Sequence, residues 1–179
     1  MWKTIGALVV SASWLVWNMP SVRATQCPDT APVVEEFHID SPYAMVRRQL
    51  QRAISGAARR LSRCTCQTIF RDFRDNSGQP LDSKLDALQQ SGAEYLYSLR
   101  FVDSRDSPVC RADRHIAAFT GRGSHVIHIC GARFESELMH DPVTSEVLII
   151  HELLHALGLG ENPPTESEIT HQIFARCAA

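Results

Sequence analysis

The chain is expected to fold as an α+β domain, a small mixed or antiparallel sheet with an N-terminal helix before it and a late helix that carries the chemistry. Three observations lead there. From about Pro42, the apolar residues Val46, Leu50, Ile54, Ala57 and Leu61 recur at helical spacing. The middle of the chain holds short β-prone runs separated by turn residues: "CQTIFRDF", "EYLYSLRFV", "RHIAAFT" and "SHVIHIC". The last third returns to helical patterning in "VTSEVLIIHELLHALGL" and "TESEITHQIFARC".

Ahead of this pattern the residues read as an export signal. Lys3 supplies a positive charge, "IGALVVSASWLVW" is an apolar run too short for a comfortable membrane span, and "VRA" ends at a cleavable position. Residues 1–24 are therefore expected to be a signal peptide and residues 25–179 a single domain, of a size that supports one hydrophobic core. A secreted location follows, extracellular or periplasmic, with no membrane association after cleavage. Losing Lys3 and Arg23 takes the formal charge from −2 to −4, which gives nucleic acid nothing to bind. No coiled-coil or self-pairing pattern stands out, so a monomer is expected.

All six cysteines, Cys27, Cys64, Cys66, Cys110, Cys130 and Cys177, lie beyond the proposed cleavage point. An even count in an exported chain predicts three disulfides. Cys64 and Cys66 are too close to pair with each other, so each should staple a different distant segment. With no CxxC pair present, cysteine ligation of a metal is the weaker use of these residues.

Element by element, the N-terminal helix should bury the apolar stripe named above and turn Arg48, Arg52, Arg59 and Arg63 to solvent. "CQTIFRDF" is expected as a strand, followed by a turn at "RDNSGQP" and a short helix around Leu81 to Gln90. "EYLYSLRFV" alternates, with Tyr95, Tyr97, Leu99 and Phe101 on one side, and is expected as another strand. "RHIAAFT" and "SHVIHIC", joined by "GRG", should form a hairpin. Asp141 and Pro142 supply the cap and first turn of the late helix. Gly158 and Gly160 end it, Asn162-Pro163-Pro164 redirects the chain, and a last helix should finish near Cys177.

The late helix contains His151, Glu152 and His155. A helix advances about 100° per residue, so His151 and His155 project from the same side one turn apart. Two imidazoles so placed can bind one zinc ion, Zn2+, through ring nitrogens. Glu152 is rotated away from that axis, placed to take a proton from water and deliver it to a leaving amine. The flanking "EVLII" and Leu153, Leu154 and Leu157 would hold the motif against a core. A packed helix with two hydrogen-bonded histidines is the competing reading.

The eleven residues "HELLHALGLGE" resemble the long metzincin-type zinc protease motif, HExxHxxGxxH, with Gly158 at the matching glycine. Glu161 falls where that family has its third histidine, or aspartate in some members. The resemblance implies that His151, His155 and Glu161 are the metal ligands and Glu152 the general base. No methionine follows Met139, so the Met-turn is missing and the similarity is to the broader zincin group. Zincins of the gluzincin branch take a glutamate from a later helix, which keeps Glu166 and Glu168 open as third ligands, and His171 with them.

Hydrolysis also needs a group that stabilises the developing oxyanion. No tyrosine follows Tyr97, which leaves His171 as the downstream candidate and Arg176 or Arg133 as substitutes. Zincins run an edge strand beside the active helix; "SHVIHIC" is expected in that place, pairing with a peptide and with His128 free to face it. The sequence thus points to a secreted, disulfide-bonded zinc peptidase acting on peptide or protein substrates. The alternative is a non-catalytic secreted domain with a structural or vestigial zinc site; a zinc amidase acting on cell-wall material is a third.

Overall fold

The structure, a computed structural model, describes residues 37–138 and 141–178; the expected signal segment 1–24 and Cys27 lie outside them. The described chain opens with strand β1 (Ile39–Asp40) and the long helix α1 (Ala44–Leu61). Four short helices follow: α2 (Cys64–Gln67), α3 (Ile69–Asp72), α4 (Leu81–Leu88) and α5 (Gly92–Ser98). Next come β2 (Arg100–Asp103), α6 (Pro108–Ala112), β3 (Ala118–Thr120) and β4 (Val126–Ile129). Helices α7 (Gly131–Leu138), α8 (Pro142–Ala156) and α9 (Glu166–Cys177) complete it. Among the described residues no helix is long and apolar enough to cross a membrane.

The sheet is mixed and small, in the order β1-β2-β4-β3. β1 runs parallel to β2 and β2 parallel to β4, whereas β3 closes one edge antiparallel to β4. The hairpin expected around "GRG" is therefore present. Its edge strand is β3, however, and the "SHVIHIC" strand β4 lies inside the sheet. The hairpin alone leaves either strand free to be the edge; the parallel pairing of β4 with β2, Phe101 against Ile127, decides it.

α1 buries the predicted stripe: Val46, Leu50, Ile54, Ala57 and Leu61 are all inaccessible. Arg48, Arg52 and Arg59 stand on its exposed side, and Arg63, also exposed, lies past its end as the cap residue of α2. α1 packs on α8, α5 and α7, so the apolar interior lies between these helices and the inner face of the sheet, where Phe101, Ile127 and Ile129 point. Each such side chain contributes about 1.5–3 kcal/mol on burial.

Two segments differ from expectation. "CQTIFRDF" forms helices α2 and α3, because Cys66, Ile69, Phe70 and Phe73 are buried at spacings of three and four residues, a helical period. "EYLYSLRFV" is split between helix α5 and strand β2. A capping box nucleates α5: Ser91 Oγ accepts the Glu94 N–H, and the Glu94 carboxylate accepts the Ser91 N–H. The apparent alternation of Tyr95, Tyr97, Leu99 and Phe101 runs across the helix–strand junction. Helices α6 and α7 and the two-residue β1 were not expected from the sequence.

Two disulfides cross-link the described chain, Cys66–Cys177 between α2 and the end of α9, and Cys110–Cys130 between α6 and the end of β4. Cys64 is also disulfide-bonded. A buried ion pair adds a further tie: Arg60 of α1 donates from Nε to Glu146 of α8 and from Nη1 to the Cys177 carbonyl, 2.7 Å away. It joins α1, α8 and α9 at one point; Arg60 belongs to neither the apolar stripe nor the arginine face read from the sequence.

Candidate metal centre

α8 starts as expected: the Asp141 side chain accepts the Val143 and Thr144 N–H groups, and Pro142 occupies the first turn. The helix is then apolar nearly all round, and its final turns are enclosed by β3, β4, α1 and α9. Charged and polar side chains in that stretch are enclosed as well. His151, Glu152 and His155 are 5%, 4% and 7% exposed.

The helix ends in a Schellman motif. The Gly158 N–H donates to the His155 carbonyl and the Leu159 N–H to the Leu154 carbonyl. Gly158 has φ +112°, a backbone conformation that residues with a Cβ rarely adopt. This turn reverses the chain so that the Leu159 carbonyl comes back to the His155 ring, 3.0 Å from Nδ1. Leu159 also forms a β-bridge to Asp75, which holds the loop against the body. Two residues on, Glu161 leans over the helix end.

Three donor atoms meet there. His151 Nε2 and His155 Nε2 are 3.0 Å apart, and Glu161 Oε1 lies 3.1 Å from His155 Nε2 and 3.8 Å from His151 Nε2. The group could hold a metal ion. Both far ring nitrogens are anchored. A carbonyl can only accept, so His155 Nδ1 carries the proton given to Leu159, and Nε2 is the ring atom turned to the donor cluster. His151 Nδ1 lies 3.0 Å from Thr170 Oγ1 on α9. A hydroxyl can accept or donate, so Thr170 suits the ring whether or not its Nε2 is bound to a cation.

Electrostatics sharpen the picture. Burial, and then the neighbouring His155 ring, push the His151 imidazole down to about 4, so it is neutral and ligand-competent near neutrality. Burial also pushes the Glu152 carboxyl up to about 7; the Thr120 hydroxyl works the other way, and the negative charges of Glu161 and Glu166 push it further up. Thr120 Oγ1 and Glu152 Oε2 nevertheless fall short of hydrogen-bond geometry, and both are buried without a partner. An orphaned buried carboxylate oxygen is rare in a folded protein.

These groups line one cleft of about 480 Å³, bounded by edge strand β3, α8, the 159–161 loop and α9. Glu166 lies on its wall, outside the donor cluster. Glu168 is engaged elsewhere, closing the N-terminal capping box of α9 with Thr165. His171 is exposed and lines a separate cleft with Asp72 and Arg74. Arg176 pairs with Asp72 at 3.0 Å, and Arg133 donates to the Ile116 and Cys110 carbonyls, so neither faces the donor cluster. His128 points to the other side of the sheet, stacked on Phe119 and 2.8 Å from Ser104 Oγ.

Thr120, Thr170 and Arg122 belong to the cleft and were not picked out from the sequence. No local spacing marks them, because each reaches the site through tertiary pairing of β3, α9 or the β3–β4 turn with the end of α8. Compared with known proteins, the chain matches no family model, no curated protein and no solved structure.

Proposed function

We propose that the protein is a zinc-dependent peptidase of zincin type, exported and disulfide-bonded, in which His151, His155 and Glu161 hold the metal and Glu152 is the general base. One observation carries the reading: three ligand atoms converge beside a buried carboxylate that has an unpaired oxygen. The triangle of donors has sides of 3.0, 3.1 and 3.8 Å. Its circumradius is about 1.95 Å, so a point about 0.8 Å off its plane lies about 2.1 Å from every donor, the reach of zinc to imidazole nitrogen and carboxylate oxygen. Three protein donors, two of them imidazoles, make the set zinc takes at catalytic centres, where structural sites take four.

A zinc ion held there supplies Lewis acidity toward a carbonyl and toward water. The chain's own residues do the remainder. A peptide laid along the free edge of β3 gains backbone hydrogen bonds and passes over Glu152. Glu152 Oε2, with no partner to compete, accepts the proton of the attacking water and returns it to the departing amine nitrogen. The Thr120 hydroxyl, free and adjacent, is available to the same water or to the substrate. Thr170 and the Leu159 carbonyl keep the two imidazoles aimed while this happens. An unpaired carboxylate at such a position has no use in a purely structural zinc site.

The test uses the protein freed of residues 1–24. It should bind one zinc per chain and hydrolyse casein, with loss of activity on chelation and recovery on adding zinc. Failure to retain zinc, or chelator-insensitive hydrolysis, overturns the reading.

A further inference from the structure

The cleft contains one guanidinium, and its position has a use that the zinc site alone does not explain. Arg122 sits at the tip of the β3–β4 turn, which is closed by the Ser124 N–H donating to the Gly121 carbonyl at 2.8 Å. The next residue ties the turn to the active helix: the Gly123 N–H donates to the His155 carbonyl at 2.9 Å. The backbone at 122 is thus fixed relative to a ligand of the proposed metal. Its side chain then crosses to the ligand loop and lies on Gly160, the residue before Glu161. A Cβ at position 160 would stand 2.3 Å from Arg122 Nη2 and 2.8 Å from Cζ, so the absence of a side chain there makes room for the guanidinium.

Among the described residues no carboxylate forms an ion pair with Arg122, whereas Arg60, Arg71, Arg100, Arg105 and Arg176 each have one. Beside the histidines His115, His151 and His155, the cleft wall has three carboxylates, Glu152, Glu161 and Glu166, which work against the entry of an acidic side chain. Of the residues lining the cleft, Arg122 is the only lysine or arginine. It stands two residues beyond Thr120, at the end of the edge along which a peptide would lie. A planar fork of donors at such a place matches a carboxylate in two-point contact.

We propose that Arg122 is a specificity-determining residue that binds a glutamate or aspartate side chain of the substrate close to the scissile bond, so that the preferred substrates are acidic peptides. This rests on the peptidase reading for its biological meaning, but its test does not need turnover. Zinc-loaded Glu152→Gln protein is titrated calorimetrically with alanine-based hexapeptides that carry one Glu, or one Gln as neutral isostere, at successive positions. At one position the Glu peptide should bind about tenfold or more tightly than its Gln partner, as a charge-assisted two-point contact implies. Adding Arg122→Gln should erase that difference while leaving the Gln peptides within about twofold, and high salt should shrink it. Gly160→Ala, which pushes the guanidinium off its seat and keeps the charge, should reduce the preference without abolishing it.

Equal affinity for Glu and Gln peptides at every position overturns the proposal, as does a preference that survives Arg122→Gln. An equal loss for all peptides in Arg122→Gln also overturns it, since that marks a group acting on the peptide backbone. Casein hydrolysis by the wild-type protein decides the peptidase reading separately.

Discussion

Two glutamates on α8, six residues apart, are both largely withdrawn from water and have opposite surroundings. Glu146 meets Arg60 in a buried ion pair whose arginine also donates to the Cys177 carbonyl. Glu152 has an oxygen with no partner at all, two further carboxylates near it, and a proton affinity raised to about 7. The first is a joint between three helices. The second is a destabilised group, held in place by the apolar packing of Ile149, Ile150, Leu153 and Leu154 around it. Burial alone therefore says little about a carboxylate; what matters is whether the fold supplies its counter-charge or leaves that to something bound.

The largest effect expected from breaking this contrast is on turnover. Glu152→Gln should lower kcat by about 10²–10⁴-fold, the usual worth of a positioned general base, with zinc stoichiometry kept. Its unfolding midpoint in urea should be unchanged or higher, because the substitution removes a buried unpaired charge. A stability loss with full activity would reverse the roles assigned to the two glutamates.

Glu146→Ala should do the opposite. It strands Arg60 in the interior and should cost about 3–5 kcal/mol of unfolding free energy by urea denaturation. Joint replacement, Arg60→Met with Glu146→Leu, should recover most of that loss, since two apolar groups need no partner. Activity per folded molecule should survive both changes.

A smaller effect is expected at the hydroxyl behind His151. Thr170→Val keeps the shape and removes the 3.0 Å contact to Nδ1. Zinc affinity, read by competition with a chromophoric chelator, should fall about 10–100-fold. The smallest change sharpens the contrast with a third buried carboxylate, Asp103. Burial raises its proton affinity, but hydrogen bonds from Arg105 and Ser41 outweigh this and hold it below the usual carboxylate value of 3.8. A lowered folded-state value means stability that is present above pH 3.8 and lost as pH falls through the folded-state value. Asp103→Asn should therefore flatten the acid end of the stability–pH curve and leave its dependence around neutrality alone.

What could be read from the sequence follows from the range of the forces involved. The start and end of α8 and the pairing of its two histidines were legible because Asp141, Pro142, His151, His155 and Gly158 act within a turn or two of one another. The same holds for the amphipathic α1 and for α9, whose Thr165–Glu168 capping box is local. Glu161 was legible as a ligand candidate only through its resemblance to a known motif; its distance to the imidazoles depends on the fold of the loop. "EYLYSLRFV" misled because period-two spacing of large residues arises by accident where a helix hands over to a strand. The edge position of β3, the hydroxyls of Thr120 and Thr170, and the seat of Arg122 on Gly160 depend on pairings between distant segments, and no short window contains them.

The Cys66–Cys177 bond, finally, has a reach beyond the two helices it joins. It closes a sequence separation of 111 residues, worth about 4–5 kcal/mol against the unfolded chain on loop-entropy grounds. It also fastens the helix that carries Thr170, seven residues before the bonded cysteine. On the proposed metal reading, thiol oxidation and cation uptake would then be thermodynamically linked, each favouring the other by the same free energy. A chain still in reducing surroundings would be a poor sequestrant of zinc, and its competence would mature with its cross-links.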